Sequence, residues 1–62
     1  YKENVMIELF RERLKEEGRS LVWFQRNRLP DFKYVYFIQQ INGLSKLSDE
    51  VKDAIQIYLN EG

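Results

Sequence analysis

The side chains that most often carry out catalysis or bind metals are absent from this chain. There is no histidine, so the commonest general base and metal ligand is missing, and no cysteine, so no thiolate or disulfide is available. The ten Asp and Glu residues show no metal-loop spacing. We therefore expect a protein that is not an enzyme and that needs no metal ion or other cofactor.

The charges that remain are unevenly distributed, although the net charge is zero. Residues 18 to 47 carry net charge +4, with Asp31 as their single acidic residue, whereas residues 1 to 17 carry −1 and residues 48 to 62 carry −3. The basic residues of the middle segment are Arg19, Arg26, Arg28, Lys33 and Lys46. A basic segment between acidic ends indicates a surface for an anionic partner such as nucleic acid.

The motif WFQRNR, starting at Trp23, differs by one transposition from the WFQNRR of a homeodomain's DNA-reading helix. That helix is the third and last of a homeodomain, but only 22 residues precede Trp23. The place of the adenine-reading Asn is taken by Arg26, and Pro30 would end the helix before its basic tail. The sequence therefore argues against a homeodomain.

Helical spacing predicts the elements that position the polar groups. A first helix is expected from Asn4 to Glu17, ended by Gly18, and a second from Leu21 to Arg28, with Ser20 as its N-cap. The residues expected to face the core from these two helices are Met6, Ile7, Leu9, Phe10, Leu14, Leu21, Trp23 and Phe24.

A third helix is expected from Phe32 to Asn42, capped by Asp31 and ended by Gly43. Its apolar arc is formed by Tyr34, Phe37, Ile38 and Ile41. Its opposite side carries Lys33, Tyr36 and Gln40, with Gln39 adjoining. A fourth helix follows the N-cap Ser48 and buries Val51, Ile55, Tyr58 and Leu59. The chain is thus predicted to be one compact all-α domain, residues 1 to 62, of four to five helices.

Three segments carry a family resemblance: IELFRERLKEEGRS in the first helix, WF in the second, and INGLSKLSDEVKDAI from the third helix into the fourth. Together they resemble the lambda-repressor-like (XRE or Cro-type) helix-turn-helix family of phage and bacterial regulators. Family members often close the recognition helix with a hydrophobic residue, Asn and Gly, which here are Ile41, Asn42 and Gly43. Two features depart from the family pattern, because Gln25 replaces a small residue and the turn containing Pro30 is longer and lacks glycine.

The resemblance implies a sequence-specific DNA-binding transcriptional regulator whose partner is double-stranded DNA. Its third helix would lie in the major groove, and the residues implied to read bases are Lys33, Tyr36, Gln39 and Gln40. The residues that could hold phosphates are Ser20, Arg26, Arg28 and Lys46. The residues alone also allow a solvated polar helix face with no partner.

Two other classes of function stay open at this point. The same fold could serve as a protein-protein interaction module, such as an antirepressor or regulator-docking domain, or as a structural or dimerisation domain cut from a larger protein. Ile57 and Leu59 could seat a second subunit in a homodimer. The longest apolar run, Leu21 to Phe24, is too short to span a bilayer, and a cytoplasmic location without membrane partners is expected.

Overall fold

The chain forms four α-helices in the computed structural model, which describes residues 2 to 61. Helix α1 spans Glu3–Glu16, α2 spans Leu21–Arg28, α3 spans Tyr34–Ile41 and α4 spans Asp49–Asn60. No strand occurs between residues 2 and 61, so the predicted all-α, four-helix fold is confirmed. Within this described range, none of the helices has the length and apolar character needed to span a bilayer.

Local sequence signals set most of the helix ends. Ser20 is the N-cap of α2, as predicted, and its hydroxyl accepts a hydrogen bond of 3.1 Å from the Trp23 backbone N–H. Gly18 follows α1 and Gly43 follows α3, with φ of 68° and 81°. These left-handed conformations, which favour glycine, let the next backbone N–H reach back to the last turn and satisfy its free carbonyls.

The start of α3 corrects one prediction. The helix begins at Tyr34 and not at Phe32, and its N-cap position is held by Lys33, so Asp31 is not the cap. Phe32 belongs instead to the turn after α2, where its N–H donates to the Leu29 carbonyl at 3.1 Å. The physical reason is that the turn containing Pro30 uses the residues that would otherwise form the first helical turn.

The core is built around aromatic rings from all four helices, which pack against one another. Phe10 and Phe24 meet edge to face with ring centroids 4.6 Å apart, and Tyr58 lies 5.4 Å from Phe24. Helix α1 packs against α4, and α2 packs against α3. The buried hydrophobic residues are Met6, Phe10, Leu14, Phe24, Leu29, Phe37, Ile41, Leu47, Val51, Ile55 and Tyr58. Two predicted core residues, Leu9 and Tyr34, are instead exposed, because neither is covered by a neighbouring helix.

Tyr58 joins the core to a group of charged side chains. Its ring is buried, and its hydroxyl donates to the Glu17 carboxylate just beyond the end of α1. Burial raises the pKa of Tyr58, and this hydrogen bond raises it further while it lowers the pKa of Glu17. The guanidinium groups of Arg13 and Arg28 lie 5.6 and 5.5 Å from the centroid of the Tyr58 ring. Tyr58 thereby connects α4 to the ends of α1 and α2.

Candidate nucleic-acid interface

Helix α3 presents one side to solvent, and this side carries three of the residues predicted to read bases. Lys33, Tyr36 and Gln39 all reach the surface, with Tyr36 53% exposed and Gln39 partly covered. The Lys33 ammonium lies 5.9 Å from the centroid of the Tyr36 ring, so the cation and the aromatic face are neighbours. Val35 adds an aliphatic surface, 62% exposed. We call these four residues the α3 face.

Gln40 is not on the α3 face, and its predicted position on the exposed side is wrong. It is only 8% exposed, and its Oε1 accepts hydrogen bonds from the Ser48 backbone N–H at 2.9 Å and from the Ser48 hydroxyl at 3.3 Å. Ser48 is the N-cap residue of α4 but makes no side-chain cap of its own. In a capping box, a Glu or Gln three residues later would accept from the N-cap N–H, but here that position is the apolar Val51. Gln40 supplies the missing acceptor from α3.

Arg28 is also placed differently from its predicted role as a phosphate-binding residue. Both of its terminal nitrogens donate to the Glu61 carboxylate, and its guanidinium lies against the Tyr58 ring. The hydrogen bonds that Arg28 donates to Glu61 are the main cause that raises the pKa of Arg28 above its ordinary value. Because its charge is neutralised by a partner 33 residues away, Arg28 is not a free cation for a phosphate.

The remaining predicted phosphate-binding residues are exposed. Ser20 lies at the N-terminus of α2, Arg26 on the outer side of α2, and Lys46 in the loop between α3 and α4. Within residues 2 to 61, neither Arg26 nor Lys46 lies within ion-pairing distance of a carboxylate, and the same holds for Lys33. These cations therefore keep their charge available for an anionic partner.

The electrostatics of the α2 to α3 region follow from where the carboxylates lie. Asp31 is the single acidic residue between Ser20 and Ser48, and it lies in the turn before α3. The ion pairs in the described part of the chain all use glutamates of α1, of its end, or of the end of α4. Helix α3 itself, Tyr34–Ile41, therefore carries no carboxylate.

Arg11 is a candidate residue that sequence reasoning missed. Its Nη2 donates to the side-chain oxygen of Asn42 at 2.8 Å, which brings a cation from α1 to the C-terminal end of α3. In the sequence, Arg11 is one of several charged residues on the outer side of an amphipathic helix. Nothing in that pattern indicates which of them lies next to α3.

Gln25 explains the departure of the turn from the family pattern. Its Nε2 donates to the Leu29 carbonyl at 3.0 Å and to the Phe32 carbonyl at 2.6 Å. The turn between α2 and α3 is thus held at two points by one side chain of α2, whose amide is half-buried. A small residue at this position could not provide either bond, so the longer turn and Gln25 belong together.

Comparisons of the chain with protein-family models, with curated proteins and with solved structures find no match. The resemblance to helix-turn-helix regulators therefore stays a prediction that depends on the residues and on the geometry of α2 and α3.

Proposed function

We propose that the chain is a sequence-specific, DNA-binding transcriptional regulator of the phage or bacterial repressor type. The observation that carries this proposal is the α3 face, where the N-cap Lys33, Tyr36 and the partly covered Gln39 reach the surface of a helix without carboxylates. A helix of this kind fits the major groove, which is wide enough to admit it and displays a distinct pattern of donors and acceptors for each base pair.

Each residue of the α3 face has chemistry suited to a base edge. The amide of Gln39 can donate to and accept from adenine, and the ammonium of Lys33 can donate to the two acceptors of guanine. The Gln39 side chain is not engaged in the hydrogen bonds formed within residues 2 to 61, so its amide is available. Val35 and the ring of Tyr36 supply apolar surface for the thymine methyl group.

The phosphate contacts in this proposal come from both sides of α3. Ser20 at the N-terminus of α2 and Arg26 on α2 lie before the helix in the chain, and Lys46 lies after it. Arg11 adds a fourth group, because it is bonded to Asn42 at the end of α3. Gln40 and Arg28 have no part in the interface, since Gln40 is buried with its Oε1 bonded to Ser48 and the guanidinium of Arg28 is paired with Glu61.

A protein-interaction module is the rival function, and one observation favours it. The outer side of α3 and the following loop expose Val35, Tyr36 and Leu44, the last at 77%. Exposed aliphatic and aromatic side chains next to each other are also typical of protein-binding surfaces. Binding to DNA is the property that separates the two functions.

The test is fluorescence anisotropy with mixed-sequence duplex DNA, titrated at low and at high salt, followed by selection of a preferred site. We expect binding that weakens by several powers of ten as salt rises, because released counterions dominate the affinity. Lys33→Ala and Gln39→Ala should each weaken binding to the selected site by about 5- to 100-fold, the range for loss of one base contact.

Lys2→Ala is the matched control for Lys33→Ala, because it removes one exposed positive charge from the N-cap of a different helix, α1. This control should bind the selected site nearly as tightly as the unmodified chain. If the duplex is not bound even at low salt, or if both α3 variants bind like the unmodified chain, the DNA-binding proposal is wrong and the protein-interaction module is favoured.

A further inference from the structure

A groove separates the turn after α2 from the outer side of α4. One wall is the turn segment Leu29 to Phe32. The other wall is formed by residues of α4 that follow helical spacing and so share one side, namely Glu50, Asp53, Ala54 and Ile57. We call this feature the turn-α4 groove.

The floor of the turn-α4 groove is apolar and its turn wall is fixed. Ile57 is a large aliphatic side chain that is 57% exposed, and Ala54 lines the groove with it. The turn wall is held by the two hydrogen bonds from Gln25 to the carbonyls of Leu29 and Phe32. A wall that is already ordered costs little entropy when a ligand binds against it.

The rim of the groove is acidic and uncompensated. Asp31 lies on the turn wall, and Glu50 and Asp53 lie on the α4 wall. Among residues 2 to 61, none of these three carboxylates has a Lys or Arg within ion-pairing distance. Arg28 is the one cation among the described residues that line the groove, and it is already paired with Glu61. The groove therefore combines an apolar floor with net negative charge.

We propose that the turn-α4 groove binds an amphipathic helical segment of a partner protein, with an apolar row that contacts Ile57 and Ala54 and flanking Lys or Arg residues. Helix-in-groove recognition uses apolar anchors at helical spacing, and the complementary charges set orientation and selectivity. The acidic rim disfavours duplex DNA as the occupant of this groove. The inference does not depend on the proposed function.

A second copy of this chain is a poorer occupant. Its exposed segment of basic and apolar residues, Lys33 to Tyr36, belongs to the α3 face and not to the groove. A contact between the α3 face of one copy and the groove of the next would be heterologous. Such contacts form either a closed ring or an open filament. A different chain that carries the basic helix is the occupant that the charges favour.

The test uses two synthetic helical peptides of about four turns. In one, an apolar row of leucines is flanked by lysines, and in the other the lysines are replaced by glutamates. Each is titrated into isotope-labelled protein and followed by NMR. We expect the lysine peptide to shift the backbone amides of Leu29, Ala54 and Ile57, and the glutamate peptide to leave them unchanged.

Two variants test the two parts of the site. Glu50→Lys combined with Asp53→Lys should weaken binding of the lysine peptide by at least about tenfold, because two favourable charge contacts become repulsive. Ile57→Ser should weaken it through loss of the apolar anchor without a change of charge. The matched control is Glu12→Lys combined with Glu16→Lys, which makes the same charge change on the groove of α1 lined by Leu9 and Leu59. Circular dichroism confirms that each variant is folded.

The proposal is overturned if the two peptides bind equally, or if the shifted amides lie on the α3 face or beside Glu12 and Glu16. It is also overturned if neither peptide shifts the amide signals of the groove residues. It is also overturned if sedimentation shows that the unmodified chain self-associates and that Ile57→Ser abolishes this, because the occupant is then a second copy.

Discussion

Gln40→Met tests whether Gln40 holds α4 to α3, as its hydrogen bonds indicate. Methionine has a similar length and volume but no oxygen acceptor, so the exchange removes the bond from the Ser48 N–H while it keeps the packing. Gln39→Met is the matched control, because it makes the same chemical change one residue earlier, where no bond to the described residues is lost.

The expected magnitude follows from the environment of Ser48. Its N–H is half-buried at the start of α4, and the second bond, from its hydroxyl, is longer and weaker at 3.3 Å. Loss of one such capping bond lowers the free energy of unfolding by about 1 to 2 kcal/mol. For a domain of this size, that corresponds to a melting temperature lower by about 5 to 15 °C.

The assay is urea unfolding followed by circular dichroism and by the fluorescence of Trp23, the only tryptophan in the chain. We expect the midpoint of Gln40→Met to fall with an unchanged slope, and that of Gln39→Met to stay near the unmodified value. DNA affinity, measured below the unfolding transition, should be weakened about 5- to 100-fold in the Gln39 variant and kept in the Gln40 variant. The reasoning is refuted if Gln40→Met is as stable as the unmodified chain, or if it abolishes DNA binding while folded.

Two further predictions concern the turn and the Tyr58 cluster. Gln25→Ala removes both bonds to the turn and should lower the free energy of unfolding by about 1 to 2 kcal/mol, measured by urea unfolding. An unchanged midpoint would show that the turn does not depend on the bonds from Gln25. Glu17 has a lowered pKa in the folded state, so its contribution to stability is present above its unfolded pKa of about 4.3 and is lost as the pH falls below it. Tyr58 has a raised pKa, so its contribution is present below about pH 10 and is lost at higher pH. Tyr58→Phe should reduce the loss of stability at acidic pH and remove the loss at alkaline pH, as measured by urea midpoints from pH 3 to 11. A pH profile that is unchanged at both ends would contradict the assigned hydrogen bond.

Sequence reasoning succeeded where the signals are local. The bounds of α2 were predicted from Ser20 and the apolar spacing that follows it, and both ends are confirmed. The end of α1 at Gly18 and the end of α3 at Gly43 were predicted because the residue after a helix often adopts a left-handed conformation, which favours glycine. Amphipathic spacing likewise identified the buried residues of α4, where one side of the helix is consistently apolar.

It failed where the partner of a polar side chain is distant in sequence. Helical spacing puts Gln40 and Tyr36 on the same side of α3. Gln40 is buried because the start of α4 packs over it, whereas Tyr36 stays exposed. Arg28 looked like a free cation because Glu61 is 33 residues away. The start of α3 was misplaced for the same reason, since the carbonyl of Phe32 is bonded to a glutamine seven residues earlier.

The position of Tyr58 also bears on how the chain unfolds. Its ring meets those of Phe10 and Phe24, and its hydroxyl is bonded to Glu17, 41 residues earlier. Detaching α4 would therefore break ring contacts with both α1 and α2 at the same moment and expose the core residues that these helices share with it. We therefore expect heat or denaturant to separate the population into intact and fully unfolded molecules.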